Sequence, residues 1–262
     1  MDDDGFAQLG PDPAAMALKQ ELSEIILWNE QSSPRSLQKS LGPSELGDPC
    51  DRRIAYKIAG IPAVNIWADP WPAIVGTAIH DWLEKAINRY QDQVGDQGWL
   101  TELGVSPDPM VQGHSDIFNT RTKTVVDHKT TGTDKIRKLR KGESPPAGYI
   151  AQVHLYGLGH ERAGREVRNV ALIFYPRSGW LDDAFVWHEP YNREIALDSL
   201  ERMYRIGFRL MDLEIETHPY RFEDIQASPG DNCVWCPLFN RELDFDIAAS
   251  DKGCPGKQTR RQ

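Results

Sequence analysis

The sequence has no run of about 18 or more consecutive apolar residues, so it offers no helix built to cross a bilayer. Its first ten residues, opening on Asp2, Asp3 and Asp4, lack the basic and apolar regions of a secretory signal. Internal repeats and long low-complexity segments are absent, which excludes repeat architectures. The Gly-x-x-x-x-Gly-Lys-Ser/Thr phosphate loop is also missing, so the chain is not expected to unwind duplex by itself. Cysteine is scarce, at 4 in 262 residues, and there is no second Cys-x-x-Cys of the kind a zinc ribbon needs. Basic charge is outweighed, 30 Lys and Arg against 39 Asp and Glu, for a net charge of -9. That balance argues against indiscriminate polyanion binding, although a local basic stripe can serve on an acidic surface.

Two such stripes are present. One holds Lys135, Arg137, Lys138, Arg140 and Lys141, and the other Lys257, Arg260 and Arg261. Each also reads as a solvated face or tail, and alone they decide nothing. The apolar and charged fractions are those of a soluble globular protein, long enough for one large domain or a domain with an appended lobe. With no export signal the expected compartment is cytoplasmic, in a prokaryotic or phage-infected cell, where structural disulfides are rare. Four thiols there point to a metal before they point to disulfides.

Apolar spacing predicts a helix over residues 13–29, from Leu18, Leu22, Ile25 and Ile26. A polar stretch follows, then a helix just after Cys50. Residues 74–90 carry Ile74, Ala78, Ile79, Trp82, Leu83, Ala86 and Ile87, a strongly amphipathic pattern. The period then changes to strands over 99–105, 111–119 and 123–130, with a turn at 119–122. Helix returns over 147–163, strands over 167–175 and 183–188, and a long helix over 192–214. Residues 228–256 hold three cysteines with Pro and Gly and little periodicity, as expected of a lobe folded around a metal centre. The expected organisation is a lead-in and helix at 1–43, a core at 44–227 and a cysteine-rich lobe at 228–262 that includes Cys50. The fold class is α/β.

The sharpest local signal is Gly113-His114-Ser115-Asp116 followed by Val125-Val126-Asp127-His128-Lys129. A hairpin turning between Arg121 and Thr122 sets Asp116 nearly opposite Asp127, with Cβ atoms about 4.5–5.5 Å apart. Like carboxylates there repel unless a cation lies between them. Strand alternation adds Lys129 to the face of Asp127. Two carboxylates and an ammonium converging on one spot suit metal-assisted phosphodiester hydrolysis with Mg²⁺ or Mn²⁺. The bland alternative is a polar hairpin with an incidental Asp-x-Lys. His80 offers an imidazole upstream, and Gln152 and Tyr156 share one helix face.

In this order, Gly76-x-x-x-His80, Gly113-x-x-Asp116, Asp127-x-Lys129 and Gln152-x-x-x-Tyr156 resemble the RecB-like branch of the PD-(D/E)xK nucleases. The resemblance spans residues 44–256 and implies a restriction-endonuclease-like core, a mixed central sheet flanked by helices. It implies His80, Asp116, Asp127 and the carbonyl of His128 as metal ligands, and Lys129 as the catalytic lysine. Gln152 and Tyr156 would position the DNA strand, and Glu102 matches a frequent acidic position loosely. One cysteine before the core and three after it resemble the iron–sulfur subgroup, the AddB-type and Cas-four-type exonucleases. That implies a 4Fe–4S cluster on Cys50, Cys233, Cys236 and Cys254, joining the N- and C-terminal parts. The long insertion between Cys236 and Cys254 departs from the subgroup and keeps zinc or free thiols open. The implied activity is a DNA exonuclease acting on strand ends, with recombination, repair or CRISPR-adaptation proteins as partners and no membrane. The alternative is a DNA-binding or protein-interaction module that keeps the fold without cleavage.

Overall fold

The computed structural model describes residues 12–31, 41–65, 69–228, 231–243 and 249–256. The chain divides into two compact units, Met1–Lys39 and Ser40–Gln262. The first holds α1 (Pro13–Gln31), which the apolar spacing anticipated. Asp12 caps it, its carboxylate accepting from the Ala14 amide at 3.0 Å. None of the described helices is long and apolar enough to cross a membrane.

The second unit opens with two short helices, α2 (Pro43–Leu46) and α3 (Asp51–Ile58), then the long α4 (Trp71–Val94), which ends on left-handed Gly95. Strands β1 (Trp99–Asp108), β2 (Val111–Asn119) and β3 (Thr124–Thr131) follow as an antiparallel meander. Helices α5 (Thr133–Arg140) and α6 (Ala147–Arg162) cross over to β4 (Asn169–Pro176), which pairs parallel with β3. A parallel neighbour demands such a crossover, because a tight hairpin cannot reverse the chain twice. The antiparallel β5 (Phe185–Pro190) and α7 (Arg193–Asp212) complete the set. The sheet is five-stranded in the order β1-β2-β3-β4-β5. The protein is thus a mixed α/β fold with a central sheet between helices.

Both faces of the central strands are covered. Ile117, Val126 and Ala171 meet Ile87 of α4 on one face. On the other, Phe118, Val125, Val170 and Leu172 meet Ile136 of α5 and Val153 of α6. Helix α6 is in turn backed by α7 and α3, through Leu155, Leu158, Leu200, Met203 and Tyr56. Buried on two sides, it is apolar nearly all round, and every residue from Gln152 to His160 is buried. Its start touches the end of α2 backbone to backbone: a Cβ at Gly47 would lie 2.2 Å from the Gly148 carbonyl oxygen. Only glycine fits at that crossing.

The helix α5 falls on the basic stripe, which shows only Ile136 and Leu139 as buried apolar positions. Two apolar residues three apart are too few for a periodic signal, and tertiary packing sets this helix. The cysteine-rich lobe is irregular, built of a 3₁₀ turn at Asp231–Trp235 and single bridges, and another 3₁₀ turn, Pro219–Asp224, leads into it. Arg52 pins that lead-in, donating to the carbonyls of Glu223 at 2.9 Å and Ile225 at 3.0 Å. Asn65 holds the other side, its amide donating to the carbonyls of Val234 and Cys236, each at 2.9 Å.

Candidate active site and thiol cavity

The β2–β3 ladder runs Asn119↔Thr124, Phe118↔Val125 and Ile117↔Val126, so its next step sets Asp116 against Asp127. This is the register that the hairpin midpoint predicts. Both carboxylates are buried, at 9% and 1% exposure. On the far side of β2, pairings Thr101↔Ile117 and Leu103↔Ser115 set Glu102 across from Asp116. Glu102 has a φ of 46°, a left-handed conformation costly for a non-glycine residue inside a strand.

His80, on α4, places Nδ1 3.5 Å from Asp116 Oδ1. One ligand atom from each of His80, Glu102 and Asp116 lies within 4.8 Å of the others. Asp116 Oδ2 accepts from the His128 amide at 2.7 Å. Lys129 Nζ lies 2.7 Å from Asp127 Oδ2 and donates to Gln152 Oε1 at 2.9 Å. The Gln152 amide donates onward to Asp127 Oδ1 and to the Tyr156 hydroxyl, each at 3.1 Å. The ammonium also stands over the ring of Tyr149, 4.6 Å from its centroid.

The electrostatics follow from burial and crowding. Desolvation, with the Asp116 charge, pushes Asp127 up to about 6 against the pull of Lys129. Burial, then Asp116 and Glu84, lift Glu102 to about 7. Burial works against the charged form of Asp116, yet the His80 hydrogen bond wins and holds it low. Burial likewise opposes the charge on Lys129, and Asp127 overrides it and raises the lysine. The His128 ring is buried on the α4 side, driven down to about 4 by desolvation.

Of the predicted site residues, His80, Asp116, Asp127, Lys129, Gln152 and Tyr156 therefore meet at one place. Gln152 and Tyr156 are buried at 5% and 6% exposure; the Gln152 amide meets both Asp127 and Lys129, and the Tyr156 hydroxyl accepts from that amide. Glu102, weak in the sequence, joins them through strand register. Tyr149, which the sequence does not single out, lies one turn before Gln152, an exposed aromatic at the start of a buried helix.

The four cysteines come together although Cys50 is far upstream. Cys50, Cys233, Cys236 and Cys254 line one cavity with Arg52 and Tyr56. Cys254 lies beside the knuckle, donating its amide to the Leu238 carbonyl at 2.8 Å. Arg52 Nη1 reaches Cys254 Sγ at 3.6 Å. Among the described residues, no three cysteine sulfurs lie within 4.8 Å of one another.

The basic stripe on α5 is largely neutralised: Arg137 pairs with Asp134 at 2.8 Å, Arg140 with Asp183 at 3.8 Å and Lys135 with Glu143. Trp187 and Trp99 pack against the sheet, while Trp71 and Trp180 are exposed. Lys257, Arg260, Arg261 and Trp67 lie outside the described residues.

No protein-family model matches the sequence, and no curated protein matches it. Among solved structures, the chain is similar to an alkaline exonuclease (LHK-Exo) from Laribacter hongkongensis, at 15% identity and a TM-score of 0.48. That similarity covers 69% of this chain and 91% of that one. It is also similar to SSO0001, at 17% identity and a TM-score of 0.47 over 84% of this chain and 94% of that one. A phage-related exonuclease from Haemophilus somnus 129PT gives 14% identity and a TM-score of 0.42 over 64% and 82%.

Proposed function

We propose that the chain is a metal-dependent DNA nuclease that hydrolyses phosphodiester bonds at strand ends. The observation that carries this reading is the meeting of His80, Glu102 and Asp116, with the buried Asp127 beside them paired to the Lys129 ammonium. Three carboxylates against one fixed cation leave a deficit of positive charge that a divalent ion makes good. His80, Glu102, Asp116, Asp127 and the carbonyl of His128 would hold Mg²⁺ or Mn²⁺. The ion would supply a lowered pKa for a bound water and charge neutralisation at the phosphate. Lys129, fixed by Asp127, Gln152 and the Tyr149 face, orients the attacking water or donates to a non-bridging oxygen. Gln152 acts on the strand through Lys129 and Asp127, which it holds in place, and Tyr156 braces the Gln152 amide.

The thiol cavity belongs to the same reading. Tetrahedral zinc with bonds of about 2.3 Å draws its sulfurs to roughly 3.8 Å of one another. The four thiols around a single cavity, with Arg52 beside them, match the ligand count of a 4Fe–4S cluster on Cys50, Cys233, Cys236 and Cys254. Such a cluster would tie the two ends of the core together and need not carry electrons. Its ties to recombination or CRISPR-adaptation partners rest on the resemblance of the motifs.

The test is degradation of end-labelled single-stranded DNA by anaerobically purified protein, with Mn²⁺ and with EDTA, beside Lys129→Ala. Cleavage that needs both metal and Lys129 is the expected result. A folded, metal-loaded wild type that cuts neither single strands, duplexes nor flaps would replace the enzyme by a non-cleaving binding module.

A further inference from the structure

The outward face of α4 carries a feature that the nuclease reading leaves unused. A surface groove of about 360 Å³ runs along it, lined by Trp82, Lys85, Ala86, Arg89, Tyr90 and Gln93. These positions recur three and four apart and so share one side of the helix. Asp81, Glu84 and Asp92 of the same helix are outside the lining. Trp82 and Tyr90 are 67% and 58% exposed, large aromatic surfaces that solvent reaches freely. Arg53, Arg121, Arg137, Arg168 and Arg202 each meet a carboxylate. Lys85 and Arg89 have no carboxylate within 4.0 Å among the described residues, though three acids share their helix.

We infer that this groove is a docking track for single-stranded DNA. Two aromatic faces bracketing two cations match what an unpaired strand presents, base planes and phosphates. A purely apolar helix would gain nothing from two cations left in the contact. Trp82 and Tyr90 stand about 12 Å apart along the helix axis. That is room for about three nucleotide steps at about 3.4 Å each. The inference deepens the nuclease reading and rests on it for its purpose: α4 presents His80 to Asp116 on its sheet side, and Trp82 follows two residues later on the other. A strand end in the site would have its continuation held by the same helix.

The experiment is fluorescence anisotropy of the full chain with labelled oligothymidylate of about 30 nucleotides, in EDTA so that nothing is cut. Trp82→Ala and Tyr90→Ala should each bind about tenfold more weakly. Trp82→Phe, which keeps a stacking face, should recover most of the loss. Replacing Lys85 and Arg89 together by glutamine should flatten the salt dependence of log K by about 1.4. Affinity and slope equal to wild type would overturn the track. So would an equal loss on blunt duplex, where no base is free to stack, or a loss that tracks a change in self-association by light scattering. Cleavage is scored separately. Wild type that binds but never cuts, with the variants weakened, leaves the track standing and removes the nuclease. Wild type that cuts, with variants binding normally, does the reverse.

Discussion

Gln152 accepts the Lys129 ammonium at 2.9 Å and returns a hydrogen bond to Asp127 at 3.1 Å, so one amide fixes both members of the Asp-x-Lys pair. Lys129 is a long chain with freedom to lose, and without that anchor it must find its own place. Lys129→Ala should lower cleavage by about a thousandfold. Gln152→Ala should cost about 10–100-fold, through kcat rather than KM, with the metal still bound. Single-turnover kinetics at saturating DNA separates these two effects. A Gln152→Ala enzyme impaired only in KM would show that the amide serves the strand directly.

Metal and stability should oppose one another at Glu102. Its carboxylate is lifted to about 7 by burial and by the neighbouring acids, and its backbone is held at a φ of 46°. Glu102→Gln removes the repulsion and should raise the melting temperature of the metal-free protein by a few degrees. The same change should shrink the further rise that Mn²⁺ gives to wild type. Thermal melts in EDTA and in Mn²⁺ measure both. If Glu102→Gln were stabilised equally by Mn²⁺, the residue would not be a ligand.

Acid should weaken the fold through a histidine far from the carboxylates. His160 is fully buried, stacked on Phe118 at 4.6 Å between centroids, and driven by desolvation down to about 4. Unfolded, it titrates near 6.5, so between these values the unfolded chain takes up the proton and the folded one does not. Stability from this group is therefore intact above about 6.5 and falls with pH until about 4, by about 1.4 kcal/mol per unit at the steepest. His160→Phe keeps the stack and should flatten the pH dependence of the urea midpoint across that window. An unchanged slope would assign the acid loss to other groups.

The thiol cavity makes a spectroscopic prediction. Protein purified without oxygen should absorb near about 400 nm, and Cys50→Ser or Cys254→Ser should bleach it. The same variants should expose the C-terminal lobe to protease, because the ends it joins would be released. A colourless wild type with one zinc per chain would assign the cavity to zinc.

The sheet and the carboxylates were legible because hydrophobic period and register are local facts. Val111 to Asn119 ends at a polar turn, and the hairpin midpoint alone aligned Asp116 with Asp127. Helix α5 was not legible, since only Ile136 and Leu139 face inward and the rest of it is charged. The ends of β1 and β5 moved because strand termini depend on partners rather than on composition. Glu102 lay on a predicted strand, but its left-handed turn and its approach to Asp116 are tertiary facts. The unpaired cations of α4 could not be seen either, because only the three-dimensional structure tells which acids the other basic residues have met.

The contact of Gly47 with Gly148 is a joint without slack. Gly47 stands three residues before Cys50, and Gly148 stands one turn before Gln152. A single methyl at Gly47 would have to sit 2.2 Å from a carbonyl oxygen, so the two chain segments would have to part. Parting them would displace the helix that aims Gln152 and the strand of chain that delivers the first thiol. Gly47→Ala should therefore blunt catalysis and loosen the thiol cavity together, though it touches neither. The carboxylate cluster and the thiol cavity share a hinge pin made of hydrogen.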